Sequence, residues 1–241
     1  GHLYGRSLTV VKAHAHTLPL PLQWTQSDAG VAVLQIEAPW EVLNAALTDW
    51  GLALHTQGLV RGWRNEMQAA HNVQGVTRLI LERGLFKLLG LCSQAVHMHI
   101  ETPNGLVWMG QRALSKAENP GMLDNLAAGG LSAQENPLEC ALRELREEAG
   151  LHADEVDLQA TGPLLRMNRS IQHGWHQETV YMFRGEVAAH WRPCNQDGEV
   201  TGFCLMTRRA AVNAVNQWRL TPDAALVTAW MLSQRPELLQ E

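Results

Sequence analysis

The chain has 241 residues, 46% of them hydrophobic and 18% charged, enough apolar material for one large or two modest globular domains. Its formal net charge of −5 argues against nucleic acid as the main partner, because binding a phosphate backbone requires a basic surface. No apolar run approaches the roughly 20 residues that a membrane-spanning helix needs, so no membrane partner is expected.

The opening Gly1-His2-Leu3-Tyr4 has no cationic segment leading into an apolar run, so no secretory signal is expected. His14 and His16 follow in a Pro- and Leu-rich lead-in. The cysteines, Cys92, Cys140, Cys194 and Cys204, are widely spaced and form no C-x-x-C pair. That spacing suits reduced thiols in a cytoplasmic protein better than a disulfide framework or a structural zinc site.

Along the chain, the alternation in Val31-Ala32-Val33-Leu34-Gln35-Ile36 predicts a strand. Pro39 then opens a helical pattern through Val42, Leu43, Ala46, Leu47 and Trp50. A second amphipathic helix is expected from about Val76 to Arg83, ending at Gly84. The stretch from Gly58 to Met67 carries no clear pattern. Residues 17–94 therefore read as a small α+β N-terminal domain.

From Ala95 the texture changes. Ala95 to Ile100 alternates like a strand, Pro103-Asn104-Gly105 is a turn, and Leu106 to Arg112 reads as the returning strand. A glycine-rich loop and a pronounced helix follow. Further strands are expected over Glu178–Phe183 and Val200–Met206, with a closing helix from about Pro222 to Ser233. Strands before and after one central helix predict an α/β protein: an α/β/α sandwich with a mixed sheet over residues 95–238. His97 and His99 share a strand face, but with no third ligand in view they read as sheet residues rather than a metal site.

The chemistry concentrates in Gly129 to Leu151. Asn136 can cap a helix whose first residue is Pro137, and Gly150 can end it. Leu138, Ala141, Leu142, Leu145 and Ala149 form an apolar stripe on that helix. Glu144, Glu147 and Glu148, spaced i, i+3 and i+4, project together beside it. Three carboxylates on one turn repel one another unless a cation neutralises them, and hard oxygen ligands suit Mg2+ or Mn2+. On the helix alone, a solvated face with Arg143 and Arg146 pairing the acids explains the same residues.

The whole segment matches G-x5-E-x7-R-E-U-x-E-E-x-G-U, where U is bulky aliphatic, at every fixed position. Gly129, Glu135, Arg143, Glu144, Leu145, Glu147, Glu148, Gly150 and Leu151 fill those places in order. In this the chain resembles the Nudix hydrolases. The resemblance implies a three-layer α/β/α sandwich with the segment as loop–helix–loop, and water attack on a nucleoside-diphosphate derivative or another small-molecule diphosphate. It implies Glu144, Glu147 and Glu148 as metal ligands, with Glu147 and Glu148 also catalytic. Glu135 and Arg143 are implied as an orienting ion pair, and Gly129 as the place where backbone approaches metal or phosphate. Metal ions would withdraw charge from the diphosphate, and a glutamate would take up the proton of the attacking water.

Many members add a carboxylate from outside this segment. Glu199, where a loop enters a strand, is the first choice here, and Glu178 the second. Arg112 and Lys116 are candidates for meeting diphosphate oxygens, and Trp175 for stacking on a heteroaromatic ring.

Flanking stretches are similar to one branch, the thiamine pyrophosphokinase-related proteins of the thiamine diphosphate phosphatase type. These stretches are Leu81-Glu82-Arg83-Gly84, Gly90-Leu91, Ala95-Val96-His97, Trp108 to Arg112, Pro120 to Asn125, Ala128-Gly129-Gly130, and Asn195 through Phe203. That branch carries an extra N-terminal domain. It implies conversion of thiamine diphosphate, or oxidised analogues, to the monophosphate. No G-x-x-x-x-G-K-[ST] loop supports a kinase. Hydrolysis of another nucleoside-diphosphate-X substrate and a non-catalytic ligand sensor remain the alternatives, and a homodimer stays open. Isopentenyl diphosphate isomerisation is disfavoured, because its Cys-Cys-Ser-His-Pro-like segment is absent.

Overall fold

The computed structural model describes residues 5–26, 32–171 and 174–234, which fall into two compact units. The expectations placed on Gly1–Tyr4, Val31, His173 and the positions past 234 lie outside the described residues. One unit takes the chain up to Ser93 together with Ser132–Gln134 and Asn168–Glu178; the other takes the rest.

The N-terminal unit begins with α1 (Gly5–His14), followed by a hairpin of β1 (Leu22–Gln26) and β2 (Ala32–Ile36). Next come α2 (Trp40–Thr56), a second hairpin of β3 (Met67–His71) and β4 (Thr77–Glu82), and α3 (Arg83–Leu89). Val11, Leu47, Trp50, Leu54, Leu81, Leu85 and Phe86 meet in its core. Trp50 keeps its indole N–H satisfied by donating to the His14 carbonyl at 3.1 Å. The unit is a small α+β fold, and Pro39 is the residue before α2 rather than its first turn.

The helix expected over Val76–Arg83 is instead β4, and a helix starts where one was to end. Local turn chemistry decides this. Asn72 Oδ1 accepts the amides of Gln74 and Val76, and Gly75 takes φ +78°, so the chain folds back into a hairpin. Leu79 and Leu81 then face inward at strand spacing. Glu82 closes the strand and caps α3, its Oε2 accepting from Gly84 N–H at 2.6 Å.

The larger unit is a layered α/β/α sandwich. The strands of its sheet are β5 (Cys92–Glu101), β6 (Val107–Arg112), β7 (Leu123–Asn125), β8 (Ala127–Gly130), β9 (Gln159–Ala160), β10 (Leu165–Ile171), β11 (Gly174–Glu186) and β12 (Val200–Met206), of which Cys92, Ser93 and the residues of β10 and β11 within Asn168–Glu178 group with the first unit. Its helices are α4 (Pro137–Ala149), α5 (Arg208–Asn216) and α6 (Pro222–Ser233). Sheet order is β10-β11-β5-β6-β12, with β7 beside β6, β8 beside β5 and β9 beside β11. β6 is antiparallel to both β5 and β12. β11 runs in the same direction as β5: Ser93 meets Gln177 near their starts, and Val187 N–H donates to the Glu101 carbonyl at their ends. The sheet is therefore mixed.

Alternation along the strands builds the layers. Val96, Met98, Ile100 and Trp108 face α4, packing on Cys140, Ala141, Leu145 and Ala149. Val107 and Met109 face the other way, onto Ala211, Ala214 and Ala224 of α5 and α6. The glycine-rich segment before α4 holds β7 and β8, and α5 and β10 are likewise elements that the sequence pattern did not announce. No helix of the described residues is long and apolar enough to cross a membrane.

One buried ion cluster ties the end of β5 to its neighbours. Glu101 Oε2 accepts from Arg184 at 2.5 Å and Arg208 at 2.8 Å, while Oε1 lies 3.0 Å from His99 Nε2. Arg208 also holds the Gly105 carbonyl, fixing the β5–β6 turn. Burial alone would push the Glu101 carboxyl up, but His99 and Arg184 outweigh it and bring it down to about 2. A lowered carboxylate pKa stabilises the fold above the unfolded value near 4.5, and that contribution is lost as pH falls towards 2. Glu101→Gln is expected to cost on the order of 3 kcal/mol in urea unfolding at pH 7, with the gap to wild type closing in acid. An unchanged midpoint at pH 7 would remove this cluster from the account of stability.

Candidate functional site: an acidic loop–helix–loop

Helix α4 starts where the sequence says it should. Asn136 Oδ1 accepts the amides of Leu138 and Glu139, and Glu139 returns the bond to Asn136 N–H, completing a capping box with Pro137 at the first position. Gly150, at φ +68°, ends it in the left-handed conformation. The buried face differs from the predicted stripe: Cys140, Ala141, Leu145 and Ala149 are in, whereas Leu138 is 45% exposed. Burial also takes in Glu144 and Glu148, at 9% and 5% exposure, leaving Glu147 at the edge.

Backbone without side chains makes room for those two acids. A Cβ on Gly129 would fall on the Glu144 carboxylate, so any other residue there would displace that carboxylate from its present position. One residue earlier, Ala128 N–H donates to Glu148 Oε2 at 2.9 Å. Strand β8, paired to β5 through Gly129 opposite Val96, thus forms the floor beneath both carboxylates.

Arg143 organises the start of the helix. Its Nε and Nη2 grip both oxygens of Glu135 at 2.5 and 2.9 Å, and Nη1 reaches Glu144 at 2.7 Å and Glu147 at 3.1 Å. Nη2 also meets the Gly130 carbonyl at 3.3 Å. Glu135 raises the guanidinium further above its already high range, so Arg143 is a fixed cation. Burial, then the Glu144 charge, pushes the Cys140 thiol up, which keeps it protonated and unreactive.

The far end of α4 recruits a second set of acids. Terminal carbonyls of a helix lack intrahelical partners, and here the 194–199 loop supplies them. Cys194 N–H donates to Ala149 O, Gln196 N–H to Glu147 O, and the Asn195 amide to Glu148 O. Asp197 Oδ1 then accepts from Asn195 Nδ2 at 2.8 Å and from Glu199 N–H at 2.7 Å. The result brings one carboxylate oxygen each from Glu148, Asp197 and Glu199 within 4.8 Å of one another.

Of the expected residues, Gly129, Glu135, Arg143, Glu144, Glu147, Glu148 and Glu199 gather here with Lys116, which pairs with Glu199. Arg112 lies in an ion pair with Asp124 at 3.0 Å and on the Glu118 carbonyl. Trp175 and Glu178 fall in the other compact unit, where Glu178 accepts from Ser93 Oγ at 2.9 Å. His97 and His99 contact Asn125 and Glu101 respectively, as sheet residues. Sequence reasoning missed Asp197 and the buried Asp124. The first was readable as the middle acid of Asn195-x-Asp197-Gly198-Glu199, a turn whose asparagine caps Gly198 N–H.

The acids repel one another without a cation. Burial first, then the Glu147 and Glu199 charges, push Glu144 up against the pull of Arg143. Glu148 is pushed well up by burial and the Glu144 and Asp124 charges, despite the Ala128 amide and Lys116. A pocket of hard oxygen donors whose charge is this poorly neutralised fits a divalent cation.

Fold and site together define an α/β/α sandwich with an acidic loop–helix–loop. The NUDIX domain family matches residues 93–231, and the chain belongs to the Nudix hydrolase family. Nudix hydrolase 20, chloroplastic, of Arabidopsis thaliana is 31% identical over 181 residues, covering 72% of this chain and 47% of that protein. Nudix hydrolase 24, chloroplastic, of the same plant is 27% identical over 175 residues, covering 71% and 48%. The chain thus spans about half the length of the curated relatives it matches. Among solved structures, DR0079 from Deinococcus radiodurans shares the fold, with a TM-score of 0.54 at 17% identity over 68% of this chain and 98% of that one.

Gly129→Ala is expected to lower Mg2+ affinity at least tenfold in calorimetry, because Glu144 must leave its seat; equal affinity would make that seat irrelevant. Raised carboxyl pKa values also mean that cation binding expels protons. Mg2+ affinity should fall as pH is lowered, with proton release detectable from the buffer dependence of the heat.

Proposed function

We propose that this chain is a Mg2+- or Mn2+-dependent hydrolase of a small-molecule diphosphate. The observation that carries this reading is the set of buried carboxylates on α4, Glu144 and Glu148, met by Asp197 and Glu199 from a loop sewn to the end of the same helix. Glu144, Glu147, Glu148 and Glu199 would hold the cation, and Asp197 joins them. When bound, the cation would withdraw charge from the diphosphate oxygens and make water a stronger acid.

The chain's own groups supply the rest. Arg143, anchored by Glu135, keeps Glu144 and Glu147 aimed and cannot lose its proton. Glu148, held by the Ala128 amide, is fixed in direction rather than free to rotate. Glu199, partly exposed, accepts the proton of the attacking water and can pass it to solvent. A new bond forms from water oxygen to phosphorus, the bridging P–O bond breaks, and the leaving phosphate carries the electron pair away. Arg112, held by Asp124, would face the diphosphate oxygens.

For the substrate we infer thiamine diphosphate or its oxidised analogues, giving the monophosphate. Support comes from the flanking stretches around Leu81–Gly84, Trp108–Arg112 and Asn195–Phe203, and from the small α+β unit ahead of the sandwich. None of the cysteines forms a disulfide, which suits a reducing compartment such as the cytoplasm. Incubating the protein and Mg2+ with a panel of diphosphates, and assaying monophosphate, tests both levels. No turnover of any panel member would defeat the hydrolase; turnover of others alone would defeat only the thiamine assignment. Glu148→Gln should lower the rate by at least about a hundredfold with the fold retained by circular dichroism.

A further inference from the structure

We propose that Lys116 is a built-in counter-cation of this site, a positioning residue that neutralises the acid cluster before a divalent ion arrives and gives way when one does. The inference rests on the cation site proposed above. It assigns to Lys116 a part distinct from simply meeting substrate.

Placement comes first. Ala113 N–H donates to Glu199 O, so the chain leaving β6 is stitched to the residue just before β12. Lys116 N–H then closes a turn on Ala113 O at 3.2 Å, bringing the lysine back towards Glu199. Its ammonium pairs with Glu199 Oε2, and its side chain is only 12% exposed. The same charge reaches the buried Glu148. Glu199 and Glu148 are two of the three acids whose oxygens converge. The ammonium therefore occupies the electrostatic position that a divalent cation would take.

Residue type agrees with this role. Lys116 is one of three lysines among nineteen basic residues. Arginines hold the fixed ion pairs of this unit: Arg143 on Glu135, and Arg184 and Arg208 on Glu101. An ammonium is a compact point charge on a flexible stem, able to swing aside, whereas the forked guanidinium of a bidentate pair is not. With Lys116 in place, cation entry must displace a salt bridge, and the released ammonium lies next to where diphosphate oxygens arrive.

Calorimetry with MgCl2 alone, on wild type, Lys116→Met and Lys116→Arg, tests this. Lys116→Met should bind Mg2+ on the order of tenfold more tightly, since a unit charge a few ångströms away is removed. Its cation-free melting temperature should drop and be restored by Mg2+, and KM for the diphosphate should rise. Lys116→Arg should keep affinity within about twofold of wild type. On wild-type protein, the Lys116 methylene signals, three lysines giving a sparse carbon-labelled NMR spectrum, should move on saturation with Mg2+. Equal or weaker Mg2+ binding by Lys116→Met, or unmoved Lys116 signals while wild type binds Mg2+, overturns the inference and leaves the site reading intact. Absence of saturable binding in wild type and variants alike overturns both.

Discussion

Everything in the larger unit depends on one packing constraint: α4 must press an apolar face onto the sheet while keeping carboxylates out of water on the adjoining side. A helix face is only about 100° wide, so Leu145 and Glu144 cannot be far apart in space. Ordinary side chains on β8 would leave no room for the acids. Gly129 removes the obstacle, and the Ala128 amide gives Glu148 a backbone donor. Burying charge costs several kcal/mol per ion unless something offsets it. Arg143 offsets part of it from one side and Lys116 from the other, and the remainder is unneutralised charge of the kind a cation would offset.

A second dependence runs through the helix terminus. Unsatisfied carbonyls at the end of α4 pull in the amides of the 194–199 loop. That loop is only a connector in the order of the chain, yet its hydrogen bonds fix where Asp197 and Glu199 sit. Stability and site geometry are therefore served by the same bonds. The Glu101 cluster does the corresponding work at the other end of β5, locking the β5–β6 turn and α5 around the sheet.

How much of this was legible in the sequence depended on the range over which each signal acts. The capping box, Pro137 and Gly150 are local, and α4 appears with the cap and end they predict. β12 and α6 likewise carried their own period and turn residues. Val76–Arg83 failed because a short apolar run fits both periods; the hairpin turn at Asn72–Gly75, a few residues upstream, decides between them. β8 was hidden because its glycines and alanines are chosen for the carboxylates above them, not for strand propensity, and β7, Leu123–Asn125, is too short to show a period. Glu199 was suggested by its loop, and the turn that holds Asp197 is local, but the bonds that dock this loop on the end of α4 span about fifty residues of chain, which no window of sequence reports.

The capping box of α4 has a further consequence, for insertions rather than substitutions. Asn136 fixes the residue at which the helix begins, and each added residue turns everything after it by about 100°. One extra residue between Asn136 and Glu144 would carry Glu144 off Gly129 and Glu148 off Ala128 together, while bringing charged neighbours round onto the sheet. The cap is thus a phase reference for the carboxylates. Exposed side chains between cap and acids, such as Leu138, can vary in kind, but the number of residues is set by the pitch of the helix.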